Sequence, residues 1–345
     1  MFFKRSSLVL LTLASLAITV LAFTGSTKTV LAKIPFISGG PSNSLTGLSG
    51  SNGPVLVAKI DDTTFAHPQV GLKDADVVYI EQVEGGLTRL AAVFSSKVPQ
   101  LIGPVRSARI SDIDLLSQYG KVGFAYSGAQ KLMQPVIASA NLFDLGATHY
   151  GSQFYDNDPA RVTPYAMMLQ GQKLLTAAES KGELPVSAKD MGWKFGATPQ
   201  NLQSFSKVHI SWPASSYDAT WSQSEERWLL THSGSPDVDE TGYQLGPKTL
   251  VIQIVSITDS IYHDKVGGVT PFSATIGGGD CYLLRNGGYI PCKWSRTDAE
   301  SGTTFTDRSG GRLTFDKGQI WFALTSKEPV FAGAAMQDAT KSASK

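Results

Sequence analysis

Apolar and polar positions follow different rules in the two halves of this 345-residue chain. Val55-Leu-Val-Ala-Lys-Ile60 is apolar at almost every position, as in a strand covered on both faces. Val77 to Ile80, Leu87 to Phe94 and Val122 to Tyr126 repeat that signature. Between and after them, apolar residues recur at helical spacing in Ile113 to Tyr119 and in Gln130 to Ala140, with a kink expected at Pro135. A third helix is predicted over Pro164 to Ser180, with Thr163 as its N-cap and Pro164 at its first position. Strands interleaved with helices predict an α/β domain over 54–195.

Beyond residue 205 helical periodicity stops. Short strands are predicted at Val208 to Trp212, Arg227 to Leu230, Thr249 to Val255, Cys281 to Leu284, Tyr289 to Trp294, Arg312 to Phe315 and Ile320 to Leu324. Turn signals such as Asn286-Gly287 separate them, so a β-rich second domain is expected over 205–327. The fold class is therefore α+β or α/β: a mixed α/β N-terminal domain, then a β-rich C-terminal one. Residues 33–53, rich in Gly and Ser, read as a flexible linker, and 328–345 as a disordered tail.

The first 32 residues stand apart. Lys4 and Arg5 precede an uncharged apolar run from Leu8 to Phe23, the layout of a secretory signal. Small-residue cleavage patterns end at Ala22 and Ala32, and a retained N-terminal anchor is the alternative. Either way the body is expected outside the cytoplasm, secreted or attached to the membrane through this segment.

Charge adds little to that picture. The formal net charge is +1, and the basic residues form no field of the kind nucleic acid requires, so no nucleic-acid partner is expected. The five histidines are scattered without metal-ligand spacing, and neither a metal nor a cofactor is expected. The tryptophans of the second half are explained by packing.

The two cysteines are informative through register. Asn286-Gly287 is a favoured two-residue hairpin turn. Pairing outward from it sets Arg285 against Gly288, Leu284 against Tyr289, Leu283 against Ile290, Tyr282 against Pro291 and Cys281 against Cys292. In an oxidising compartment a Cys281–Cys292 disulfide follows; two unpaired small residues in a strand are the alternative.

Several motifs stand in a fixed order: Pro68-Gln69, Gly71-Leu72, Ala75-Asp76, Val83-Glu-Gly-Gly-Leu-Thr-Arg89 and Ile102-Gly-Pro-Val-Arg-Ser-Ala-Arg109. Pro236-Asp-Val-Asp239 and Lys293-Trp-Ser-Arg296 follow. In these the chain resembles the YerB-like family, bacterial envelope lipoproteins with a two-part domain of unknown function. The resemblance spans roughly 55–327 and implies an envelope location. Three features depart from it. No cysteine precedes Cys281, so no lipid attachment is expected behind the signal. Arg161-Val-Thr-Pro-Tyr-Ala166 replaces the family's Pro-His-Asn. The cysteine pair is not part of the family pattern.

Candidate chemistry concentrates around Leu101 to Ile110. Gly103-Pro104 stops a strand, Arg106 and Arg109 follow three apart, and a helix start comes next, where backbone N–H groups favour anions. Arginine adds forked donors suited to phosphate or carboxylate. Arg89, Arg106 and Arg109 are read as an anion-binding cluster, with Glu84 and Asp114 orienting the guanidinium groups. Ser107, Ser127 and Arg161 are added as ligand-facing residues. Structural ion pairs are the plainer reading. The expected partner is an anionic cell-envelope ligand; protein partners are left open. One alternative is a phosphotransferase or hydrolase in which the arginines clamp phosphate and Asp61 or Glu84 acts as base. Another is a scaffold that docks proteins through the β-rich domain.

Overall fold

A computed structural model describes residues 40–183 and 185–333. The signal or anchor over 1–32 lies outside the described residues, as does the tail beyond 333. Among the described residues no helix is long and apolar enough to cross a membrane.

The centre is a mixed eleven-stranded sheet drawn from both halves of the sequence. The strands β1 (Leu56–Asp61), β2 (Val77–Gln82) and β3 (Thr88–Phe94) lie side by side in the order β2-β3-β1. Val122–Ala125 runs parallel to β1 and carries the sheet on to Leu142–Asp144. On the other side, Ile320–Thr325 pairs parallel with β2, Val77 facing Ile320 and Ile80 facing Ala323. Thr249–Ile254, then the hairpin Gly277–Arg285 and Gly288–Arg296, continue outward from it.

Central strands must be apolar on both faces, and these are. Along β3, Leu90, Ala92 and Phe94 enter one core cluster, and Ala91 and Val93 the opposite one. The first cluster is closed by a five-stranded sheet containing Lys207–Ser211, Ser216–Ser222 and Arg227–His232, whose Ile210, Tyr217 and Trp228 pack toward Ile252 and Trp321. The second takes Leu115, Leu116 and Tyr119 from helix α1 (Ile110–Ser117) and the turn after it. Strands of the C-terminal half thus serve two sheets, and that half is β-rich. From Gly40 onward the chain forms one compact unit.

The hairpin has the register read from its turn, from Arg285 opposite Gly288 to Cys281 opposite Cys292. The cysteines form a disulfide, with 4.7 Å between their Cα atoms. Pro291 falls where neither Gln203–Ser204 nor Thr304–Asp307 pairs with its strand, so no partner needs its missing N–H.

Several segments differ from expectation; Pro135, for one, opens the helix Gln134–Ser139 in its first turn instead of kinking a longer one. The helix expected from Pro164 begins only at Gly171, and Met167–Gln170 is a strand paired with Tyr155–Asn157 and Leu101–Ile102. Burial of Met168 and Leu169 in that ladder overrides local helical spacing. Residues 40–53, expected to be a flexible tether, are pinned. The Asn43 side-chain oxygen accepts the N–H groups of Leu45 and Thr46, and Leu45 is fully buried. Val330–Ala332, placed in the disordered tail, instead adds a strand beside Lys207–Ser211.

Candidate anion-binding cleft

The candidate cluster lies where β1, β3 and the Val122–Ala125 strand end. The chain from Val105 to Arg109 is threaded between them by backbone bonds. Val105 N–H donates to Met167 C=O at 2.6 Å and Arg106 N–H to Lys59 C=O at 2.8 Å. Ser127 N–H donates to Arg106 C=O at 3.0 Å, and Ala108 N–H to Gly128 C=O at 3.0 Å. Extended on both sides, this segment cannot slide, so Arg106 and Arg109 are held at fixed points.

A cleft of about 600 Å³ opens there. Its walls include Glu84, Arg89, Arg106, Ser107, Arg109 and Ser127, six of the residues singled out from the sequence. A β-hairpin arm, Ile257–His263 and Val269–Ser273, lies across it. The arm is fastened to the cleft by Thr270, which donates to Glu84, and by the Ser273 N–H, which donates to Ser111 Oγ at 2.9 Å. His263, Asp264, Lys265 and Val266 at its tip also line the cleft. No local pattern near the arginines announces this arm. Its Asp264 to Gly268 turn is legible in sequence, but its destination is not.

Each arginine has a different electrostatic setting. Arg106 pairs with Asp61 at 2.5 Å, and Asp61 is fully buried behind it. Arg109 presents two nitrogens to Glu84, Nε at 2.9 Å and the terminal nitrogen at 2.7 Å. Burial alone would raise the Glu84 pKa; the Arg109 fork and then the Thr270 hydroxyl outweigh it and hold the carboxyl below its ordinary value. Arg89 is the exception. It is only 8% exposed and donates to Ser107 C=O at 2.8 Å, yet among the described residues no carboxylate lies within ion-pair distance. Burial, then the neighbouring Arg109 and Arg106, press its pKa downward. A guanidinium stays charged under such pressure, so Arg89 is a buried cation short of a counter-charge.

Other expected roles fall differently. Asp114 does not line the cleft; its carbonyl accepts from Arg296 at 2.6 Å. The carboxylate at the helix start is Asp112, which accepts the Arg109 N–H at 2.6 Å and so uses the helix-end donor the sequence offered to a ligand. Arg161 lies on a second pocket, where it donates to Ala66 C=O at 2.9 Å and to Pro68 C=O. Asp61 is behind Arg106 instead of in the cleft. Gly86 is required by the turn and by close packing on Pro213, where a Cβ would come within 2.4 Å.

Fold and cleft together define a two-part α/β protein whose halves share one sheet and both line one cleft. Residues 45–184 match the family described as Protein of unknown function (DUF3048) N-terminal domain, and 208–322 match its C-terminal domain. The chain belongs to this two-part, YerB-like family. It is 24% identical over 279 residues to "Putative lipoprotein YerB" of Bacillus subtilis (strain 168), covering 79% of this chain and 80% of that protein. The crystal structure of YerB from Bacillus subtilis superposes with a TM-score of 0.70 at 20% identity, over 84% of this chain and 99% of that one, and so shares the fold.

Proposed function

We propose that the protein is an extracytoplasmic envelope protein that binds an anionic envelope ligand in the Arg89–Arg106–Arg109 cleft. The ligand class is a phosphate-bearing polymer, a lipid-linked phosphate precursor or a peptide carboxylate. The observation that carries this reading is Arg89, buried at the cleft wall without a carboxylate of its own. An arriving anion would supply the missing counter-charge through forked, charge-assisted bonds. The apolar N-terminal segment and the lipoprotein name of the Bacillus relative support the location. Binding is favoured over phosphoryl transfer because both candidate bases are engaged: Glu84 accepts from Arg109 and Thr270, which lowers its basicity, and Asp61 is paired with Arg106.

The arginines predict opposite effects on stability. Arg89→Met removes a buried charge that no carboxylate compensates, so the fold should be unchanged or firmer while binding is lost. Arg109→Ala strands Glu84 and should cost about 3–5 kcal/mol of stability. Thermal melting with and without poly(glycerol phosphate), inorganic pyrophosphate or an acidic peptide reads both quantities, because a ligand that binds only the folded state raises the melting point. If Arg89→Met responds to all three as the parent does, the cleft is not the anion site.

A further inference from the structure

Beside the arginine cleft lies a second hollow, of about 600 Å³, whose walls are mostly apolar. Phe65 follows β1, and Val162 precedes the Met167–Gln170 strand; both line the hollow, together with Pro68, Ala160 and Tyr165. Phe65 is 76% exposed and Val162 77%. The Phe65 and Tyr165 rings stand 5.5 Å apart, centroid to centroid, tilted by 31°. The polar residues of the hollow are bonded to protein. Arg161 pairs with Asp158 at 3.2 Å and donates to Ala66 C=O and Pro68 C=O, and His67 pairs with Asp237 at 3.3 Å. Large apolar side chains left open together in one hollow are the mark of a binding surface.

The hollow shares a wall with the cleft. One short segment serves both: Arg161, Val162 and Tyr165 face the hollow, and Thr163 and Pro164 line the cleft. Arg106, a cleft residue, holds its guanidinium carbon 5.5 Å from the centroid of the Tyr165 ring, a residue of the hollow. Thr163 and Pro164 are themselves exposed, so a ligand can lie across them with one end on each side.

We propose that this hollow takes the hydrocarbon chain of a lipid-borne phosphate whose headgroup lies among Arg89, Arg106 and Arg109. The inference rests on the anion reading of the cleft and selects among its ligand classes. Arg89, buried without a carboxylate, calls for an anion. Phe65 and Val162, across the shared wall, call for an apolar group joined to that anion. A polyol-phosphate chain or an acidic peptide is polar along its length and gains nothing from either side chain. An isoprenoid or acyl phosphate gains by burying its own chain and by covering theirs. With its polar residues tied to protein, the hollow offers such a chain contact without leaving a donor or acceptor stranded beneath it.

The test titrates the full-length chain, held in nanodiscs of zwitterionic lipid, with inorganic pyrophosphate, dimethylallyl pyrophosphate and geranyl pyrophosphate, using empty discs as the partition blank. Affinity should rise with chain length, geranyl pyrophosphate binding at least about tenfold more tightly than inorganic pyrophosphate. In Phe65→Ser with Val162→Ser that gain should disappear, so that the three probes bind alike. Both side chains are exposed, so the double variant should fold and melt as the parent does. Equal affinities for the three probes in the parent overturn the proposal and leave the anion site standing. No binding of any probe overturns the anion site and the proposal with it. A chain-length gain that survives in the double variant places the chain elsewhere and overturns the proposal. So does geranyl pyrophosphate binding that Arg89→Met leaves undiminished, since uptake would then need no headgroup contact.

Discussion

Lys59 sits in the middle of β1, fully buried, with Glu81 at 2.7 Å and Asp112 at 2.6 Å. One ammonium faces two carboxylates, so the trio carries a surplus negative charge unless one acid keeps its proton. Burial is the largest influence on Glu81 and raises its pKa; Lys59 opposes this, Asp112 adds to it, and the result lies at about 7. The sign of the pH effect follows. The folded chain holds the Glu81 proton up to about 7, and the unfolded chain releases it near its ordinary value of about 4.3. Between those values the unfolded state binds fewer protons, so stability falls as pH rises, by an amount on the order of 3 kcal/mol. Glu81→Gln still accepts from Lys59 but cannot titrate. Its melting temperature should stay level across this window while the parent's declines, leaving the variant the more stable above about pH 7. Parallel curves would show that Glu81 is ionised throughout. Lys59 is legible as an odd charge in an apolar run, but its partners are not, because Glu81 and Asp112 reach it through sheet register and a helix start. The cleft shows the same division. Arg106 and Arg109 could be singled out from local sequence, whereas Asp61 as the partner of Arg106, and the exclusion of Asp114, depend on where β1 and α1 come to lie.

Elements whose evidence is short-range could be read; those decided by distant pairing could not. The Asn286-Gly287 turn fixes its own hairpin, since Asn286 and Gly287 both take positive φ, at 49° and 76°. Register then follows residue by residue to the cysteines. The helix Gly171–Ser180 is the counter-example: its predicted first turns belong to a ladder with strands up to some 70 residues away in sequence. Ile257–His263 and Val269–Ser273 form the arm over the cleft, whose exposed or mixed positions show weak alternation, so local pattern does not mark it; Ser216–Ser222 does alternate, with Tyr217, Ala219 and Trp221 between polar residues, and is a strand that the pattern supports but the expected set omits. The hairpin supports a prediction at this scale. Cys281 and Cys292 are 11 residues apart, so the closed loop is short and its entropic contribution lies below the ~3 kcal/mol expected for a 15-residue loop. Both sulfurs are buried, so alanine is the cleaner replacement, as serine would bury two hydroxyls. Cys281→Ala with Cys292→Ala should fold, bind as the parent does and melt only a few degrees lower, while the parent taken from the envelope shows no alkylatable thiol. A double variant that fails to fold would make the bridge a condition of the domain.

At the scale of the whole molecule the decisive contact is the parallel pairing of β2 with Ile320–Thr325. It joins the residues matched by the N-terminal family domain to those near the end of the C-terminal one. Parallel strands are stable only when covered on both faces, and here Val77, Val78 and Ile80 are fully buried, as are Ile320 and Trp321. Separating the halves would open a long apolar edge on each piece and leave β2 unpaired on one side. The hairpin arm over the cleft adds to the coupling, since Thr270 and Ser273 of one half bond to Glu84 and Ser111 of the other. The change of pattern near residue 205 therefore marks a change in composition, not a seam across which the sheet stops. Heat should unfold the chain in a single transition, with far-ultraviolet dichroism and tryptophan fluorescence coincident and the calorimetric enthalpy equal to the van't Hoff value. Tryptophan is a discriminating probe, because all but one of the six lie in the second half and dichroism reports on both. A fragment ending near residue 200 should bind hydrophobic dye and lack a cooperative melt, having lost the partner of β2. Two resolved transitions, or a cooperatively melting fragment, would instead mean that each half holds its own core and that the shared sheet is a docking contact between two independent folding units.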